Sequence, residues 1–268
     1  MYRLPLLALA VAAQAACISS AIDADPTPPG PAVAVAHRGA WKAAGHPQNS
    51  LASLRAAVAL DCAGSEFDVR MSADDTLVVA HDEHHGGLAV EEATYAELAA
   101  DPLANGEPLP TLRAYLEEGL RQNPSRRPTR LVLEVKPSPA GPARSEAIAR
   151  AAVALVREVG AAELVDYISF SYEALLAIRA VDSAAHLQYL EGDRSPADVA
   201  ADGIDGLDYQ YLVYQRRPEW VQEAHDLDLR LNAWTVNGAG DMRWLLERGF
   251  DLITTDEPER LIELAPEE

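Results

Sequence analysis

Cysteine is almost missing from this chain. There are two in 268 residues, Cys17 and Cys62, and Cys17 falls in the N-terminal leader-like stretch. A single remaining thiol cannot close an internal disulfide, so the fold is held without covalent cross-links. Cys62, in an apolar stretch ahead of a candidate strand, reads as a small buried filler. Cationic side chains are also scarce: 22 Lys and Arg face 42 Asp and Glu, for a net charge of −20. Such a surface repels phosphate backbones, which argues against nucleic-acid binding and against docking on anionic lipid by charge alone. Most of this acid reads as solvated surface. After the leader no apolar run is long enough to cross a bilayer. A glycine-rich phosphate loop is missing too, since the first strand candidate runs into His37-Arg38-Gly39.

What is present begins with an export pattern. Arg3 precedes an apolar run, Leu4 to Ala13, of signal-peptide length, and Ala13-Gln14-Ala15 offers a small-x-small cleavage site. Cys17 follows Ala15-Ala16, where a bacterial lipoprotein carries its acylated cysteine, although Gln14 stands where such signals usually have Leu. The expectation is a signal peptide over residues 1–16 and a periplasmic or membrane-anchored product. A lipid anchor at Cys17 is expected, with plain cleavage as the alternative. Residues 17–32, with Pro26-Thr27-Pro28-Pro29-Gly30-Pro31, read as an extended tether. A single enzyme domain is expected over 33–268.

Within that domain, β-branched or apolar runs alternate with helical patterns. The strand candidates are Val33–His37, Ser65–Val69, Leu131–Lys136, Tyr167–Phe170, Leu187–Leu190, Gly206–Tyr209, Leu229–Val236 and Leu252–Thr254, with an extra short run at Leu77–Ala80. Helical patterns follow Ser50 and Thr111 and cover Ser145–Val159, Tyr172–Val181, Pro218–Leu227 and Asp241–Arg248. Eight strand–helix units predict parallel pairing with helical crossovers and a (β/α)8 TIM barrel, for which about 250 residues is typical. A doubly wound open sheet is the competing topology, and it would normally announce itself with the glycine-rich loop that is lacking. The long Asp82–Pro110 stretch is expected to form a small insertion on the catalytic face.

Barrel enzymes carry their chemistry at the carboxyl ends of the strands. Those ends hold His37-Arg38, the pair Glu66 and Asp68, the pair Glu134 and Lys136, His81-Asp82 after the short extra run, and Trp234. Residues two apart on a strand share a face. Glu66, Asp68 and Glu134 would then crowd three negative charges into one low-dielectric mouth, which calls for a cation. An all-oxygen donor set suits Mg²⁺ or Ca²⁺. Separate arginine partners for each acid would be the alternative. His84 and His85 lack a further ligand at a suggestive spacing and read as loop residues; His186 and His225 receive no role.

Taken in order, these residues resemble the glycerophosphodiester phosphodiesterase family. His37-Arg38-Gly39 with Pro47-Gln48-Asn49-Ser50, Glu66-Phe67-Asp68-Val69, His81-Asp82, Pro110-Thr111-Leu112, Glu134-Val135-Lys136, Trp234-Thr235-Val236-Asn237 and Thr255-Asp256-Glu257-Pro258 match its motifs from about Val33 to Leu261. The resemblance implies a (β/α)8 fold and a metal held by Glu66, Asp68 and Glu134. It also implies hydrolysis of small glycerophosphodiesters to glycerol phosphate and an alcohol. The family usually has Glu where this chain has Gln48, so that position is assigned no ligand role.

The expected mechanism follows from charge. Lys136 and the metal neutralise the phosphate oxygens, Arg38 adds a bidentate contact, and His37 and His81 exchange protons as base and acid respectively. Trp234 either lines the pocket against the glycerol carbons or fills the barrel. Two competing functions are a phospholipase-D-like enzyme acting on lysolipids or sphingolipids and a non-catalytic, metal-stabilised binding lipoprotein.

Overall fold

Alternation of strand and helix gives each strand two apolar duties, one face toward the barrel axis and one toward a covering helix. The computed structural model describes residues 33–122 and 127–265, together with Met1. The expected signal peptide beyond Met1, the expected tether and Cys17 lie outside the described residues.

In chain order, β1 (Ala34–Ala36) leads to α1 (Leu51–Ala59), and β2 (Gly64–Met71) to an excursion. That excursion comprises β3 (Leu77–Val79), a hairpin of β4 (His84–His85) and β5 (Leu88–Ala89), and α2 (Tyr95–Leu98), before α3 (Leu112–Gly119). Then follow β6 (Arg130–Val135), α4 (Pro142–Val159), β7 (Val165–Ser169), α5 (Tyr172–Val181), β8 (His186–Tyr189) and α6 (Pro196–Ala201). The chain finishes with β9 (Gly206–Gln210), α7 (Tyr211–Arg216), α8 (Glu219–Asp226), β10 (Arg230–Trp234), α9 (Ala239–Leu246), β11 (Ile253–Thr255) and α10 (Pro258–Leu264).

Eight parallel strands run in the order β10-β9-β8-β7-β6-β2-β1-β11. The ends of this order meet through Leu252 N–H donating to Leu231 O at 3.1 Å and Val236 N–H to Thr254 O at 3.0 Å. This is the (β/α)8 barrel expected from the sequence. β3 stands outside it, pairing antiparallel with β2. The excursion has its own small core of Val78, Ala80, Val90, Ala93, Leu98 and Leu109, and so holds a fixed position beside His81.

Local chemistry sets several boundaries. Ser50 caps α1 in a reciprocal capping box with Ser53, and Thr111 caps α3 through Ala114 N–H. The helix expected from Ser145 begins earlier, at Pro142, because Gly141 caps it and a proline suits the first helical position. The short helices α6, α7 and α10 were not expected. Seven residues or fewer give too little periodicity to stand out.

The larger core lies between strands and helices. Phe67 on the outward face of β2 stacks on Tyr115 of α3 with centroids 4.2 Å apart. Inside the barrel, Val35, Val132, Ile168 and Leu190 pack together. At its amino-terminal end sits Asp166, fully buried and gripped by Arg130 through Nε and Nη2, both at 2.6 Å, and by Arg230 Nη1 at 3.2 Å. Removing one member of such a buried cluster leaves the others' charges uncompensated. Asp166→Ala is expected to cost about 3 kcal/mol and lower Tm by roughly 10 °C with little change in kcat. Thermal unfolding and turnover of the purified variant check this, and a Tm within a degree or so of wild type would show the cluster to be dispensable.

Candidate active site

At the carboxyl end of the barrel the turn after β1 is strained. Arg38 (φ 55°), Gly39 (φ 79°) and Asn49 (φ 58°) all lie in the left-handed region. Gly39 has a further reason to be glycine, since a Cβ there would sit 2.4 Å from Ser53 Oγ. The strain aims donors at the acids. Arg38 N–H donates to Glu66 Oε2 at 2.8 Å. Asn49 grips Asp68 from both sides: its Nδ2 donates to Asp68 Oδ2 at 2.8 Å, and its Oδ1 accepts from Asp68 N–H at 3.2 Å.

β2 and β6 pair so that Asp68 lies beside Glu134 and Glu66 beside Val132. Glu66, Asp68 and Glu134 are all buried, and one oxygen from each lies within 4.8 Å of the other two. Lys136 Nζ reaches Glu134 Oε1 at 2.8 Å and Asp68 Oδ1 at 3.3 Å. Arg38 Nε stands 3.5 Å from Asp68 Oδ2, while its Nη1 donates to Gln48 Oε1 at 2.8 Å. Gln48 thus anchors Arg38 without adding charge.

These charges do not balance. Burial, then Asp68 and Glu134, holds the Glu66 carboxyl well above the ordinary range. Burial and Asp68 push Glu134 up to about 8. Burial opposes the Asp68 charge as well, but Lys136, His81, the Asn49 hydrogen bond and Arg38 outweigh it and hold Asp68 below its usual value. Burial likewise opposes the Lys136 charge, and the carboxylates of Glu134 and Asp68 raise it again, so it remains an ammonium. Two of the three acids are therefore held toward their protonated forms when no cation is near. An all-oxygen, buried, anionic cradle of this kind fits a hard divalent cation.

Two imidazoles face the acids across a cavity of about 120 Å³, which His37, His81, Arg38, Glu66, Glu134 and Lys136 line. Each imidazole is fixed through Nδ1 to a carboxylate, His37 to Asp256 Oδ1 at 2.8 Å and His81 to Asp82 Oδ1 at 2.7 Å. That leaves Nε2 as the working nitrogen of both. Asp256 is itself held: Asn237 Nδ2 donates to its Oδ2 at 2.8 Å, and Asn237 Oδ1 accepts its backbone N–H at 2.9 Å. Burial works against its charge, and His37 and Asn237 keep its carboxyl below the ordinary value. Burial lowers the His81 imidazole, with Asp68 and Asp82 partly opposing.

Ile168, Phe170, Leu190 and Trp234 form the apolar wall. Trp234 meets Phe170 edge to face at 5.4 Å and donates through Nε1 to Asp208 O at 2.8 Å. It therefore lines the cavity while packing against the barrel's inner core. The eight site residues expected from sequence all come together here. His84 stands exposed on the hairpin, and His85 Nε2 bonds Asp101 O at 2.7 Å. His186 lies 3.9 Å from Asp166, and His225 bonds Arg248 O at 3.1 Å. The site also uses Asn49, Asp82, Asn237, Asp256 and Asp208, which were given no role from sequence. The first four lie inside motifs quoted above, which was the available signal; Asp208 had none.

The profile of the Glycerophosphoryl diester phosphodiesterase family matches residues 37–260. A curated glycerophosphodiester phosphodiesterase from Caldanaerobacter subterraneus subsp. tengcongensis is 28% identical over 251 residues, covering 86% of this chain and 96% of that protein. A solved glycerophosphodiester phosphodiesterase from Parabacteroides distasonis superposes with a TM-score of 0.82 at 38% identity, covering 86% of this chain and 95% of the other. A second solved structure, a putative glycerophosphoryl diester phosphodiesterase from Silicibacter pomeroyi, gives a TM-score of 0.75 at 28% identity, covering 86% and 92%. With the family profile spanning most of the chain over this barrel and this site, the protein belongs to the glycerophosphoryl diester phosphodiesterase family.

Proposed function

We propose that this protein hydrolyses small glycerophosphodiesters to glycerol 3-phosphate and an alcohol, using a divalent metal and a pair of histidines. The observation that carries this reading is the opposition, across one cavity, of two carboxylate-anchored imidazoles and a buried three-carboxylate cradle flanked by Lys136 and Arg38.

Glu66, Asp68 and Glu134 would hold the metal, which when bound supplies Lewis-acid stabilisation of charge on the phosphoryl oxygens. Lys136 and Arg38 bring positive charge to the same oxygens, and Arg38 can offer two parallel N–H groups. His37, its Nδ1 proton committed to Asp256, presents a bare Nε2 and takes the proton of the attacking oxygen, that of water or of a substrate hydroxyl; in the second case water then opens the cyclic phosphate to complete the hydrolysis. His81 delivers a proton from Nε2 to the departing alkoxide. Asp82 and Asp68 favour the protonated imidazole there, against the effect of burial. The Phe170–Trp234 wall packs the carbon chain of the substrate and excludes water from the barrel axis.

The metal cradle has a consequence for stability as well as for activity. Glu134 holds its proton up to about 8 in the fold against an ordinary 4.5. The folded metal-free protein therefore binds a proton that the unfolded chain has released. Its contribution is fully present below the unfolded value and is lost as pH rises through the folded one. A divalent cation replaces that proton. Mg²⁺ or Ca²⁺ should accordingly raise Tm more at about pH 8 than at about pH 5, and a chelator should abolish turnover reversibly. Calorimetric scans with and without cation measure the first effect. A Tm indifferent to both cations near pH 8, with full activity in excess chelator, would remove the metal from the mechanism.

For the histidines, either His37→Ala or His81→Ala should lower kcat by about 10²–10⁴, with non-additive losses in the double variant. A nitrophenyl diester, whose leaving group needs no proton, should restore His81→Ala and leave His37→Ala slow. Rescue of the opposite variant would exchange the two roles. Unimpaired hydrolysis by both variants would eliminate acid–base catalysis by this pair, and turnover restricted to lysolipids would replace the substrate class.

A further inference from the structure

The cavity is lined by the groups assigned above and by one further charged group. Asp208 lines it together with Thr254, Phe170 and Trp234, and its backbone carbonyl accepts from Trp234 Nε1. It is 1% exposed, and among the described residues neither carboxylate oxygen has a hydrogen-bond partner. The nearby amide of Asn232 favours the Asp208 charge against burial without closing a full hydrogen bond to it: its Nδ2 donates to Thr254 Oγ1 at 3.1 Å, and its Oδ1 accepts Ala233 N–H at 2.8 Å.

The same barrel shows what a structural acid looks like. Asp166 is as deeply buried and is satisfied by two arginines. Asp208 has only the Asn232 amide beside it and no cation, too little to offset its burial, so it works against the stability of the fold. An apolar side chain would suit the position better, as Leu190 does just after the neighbouring β8 and Ile168 on β7 beyond it. What Asp208 does have is a place in the cavity.

We propose that Asp208 is a specificity-determining residue, whose carboxyl receives a hydroxyl group of the substrate arm lodged in the cavity. The arm selected is a short polyol, with its carbons against Phe170, Trp234 and Leu190 and its hydroxyl on Asp208. A hydroxyl is the fitting partner because it donates to a carboxyl oxygen without adding charge to a mouth crowded with acids. A second phosphate would be repelled, and an alkyl arm would leave Asp208 unpaired. This rests on the phosphodiesterase reading.

Calorimetric titration in excess Mg²⁺ with sn-glycerol 3-phosphate and with n-propyl phosphate tests it. Wild-type protein is expected to bind the glycerol ester more tightly by about 10- to 100-fold, the discrimination of a site built around one substrate hydroxyl. Asp208→Ala should bring that ratio toward unity by weakening the glycerol ester alone. It should also raise Tm, because an unpaired buried carboxyl is gone. Asp208→Asn keeps the shape and one oxygen acceptor, and should retain part of the preference if the alanine variant folds poorly. A wild-type ratio preserved in both variants, or equal weakening toward both esters, overturns the role of Asp208 and leaves the phosphodiesterase reading standing. Wild-type protein that binds neither ester and cleaves no glycerophosphodiester overturns that reading, and this one with it.

Discussion

Three carboxyl groups within 4.8 Å of one another, buried at the mouth of a barrel, are the constraint around which the rest of the site is arranged. Like charges so close in a low-dielectric setting cannot all ionise without compensation. The surrounding residues meet that requirement only in part. Lys136 spans two of the acids, Arg38 approaches Asp68, and backbone and amide donors serve Glu66 and Asp68. The shortfall is what holds Glu66 and Glu134 toward their protonated forms, and it gives a divalent cation its driving force.

The strained turn after β1 follows from the same demand. Glu66 needs a donor where β1 ends, and a left-handed Arg38 followed by glycine turns the backbone N–H onto it. A left-handed Asn49 then closes on Asp68 from the opposite side. Backbone strain of order 1–3 kcal/mol per residue persists where surrounding structure over-determines it. Here the helix behind the turn is capped by Ser50 and pressed against Gly39, so the geometry is held from outside the site.

The two ends of the barrel divide stability from chemistry. At the amino-terminal end Asp166 is matched by arginines, and its charge contributes to holding β6, β7 and β10 together. At the carboxyl end the acids are under-compensated, Asp208 finds no cation or full hydrogen bond among the described residues, and the imidazoles are fixed through Nδ1. Sites built for ligands commonly stand at this end of the scale, since groups already satisfied by the protein have nothing to offer a substrate.

The barrel was legible in the sequence because its strands, buried on both faces, are short β-branched or apolar runs alternating with longer helices of period 3.6, and side-chain direction along a strand alternates whatever the tertiary context. For the same reason Glu66 with Asp68, and Glu134 with Lys136, could be placed on shared strand faces, and the eight expected site residues do converge. Segments of seven residues or fewer, such as α6, α7 and α10, carried too little pattern. What only the tertiary structure decided are the contacts that join distant segments. Asp256 holds His37 across 219 residues of chain, and Asn237 holds Asp256 across 19. Whether Asp208 is paired or orphaned depends on where Asn232 and Thr254 direct their own hydrogen bonds. Local sequence determines which way a side chain leaves its strand; who meets it there depends on barrel closure, which brings the ends of β1, β9, β10 and β11 to one mouth.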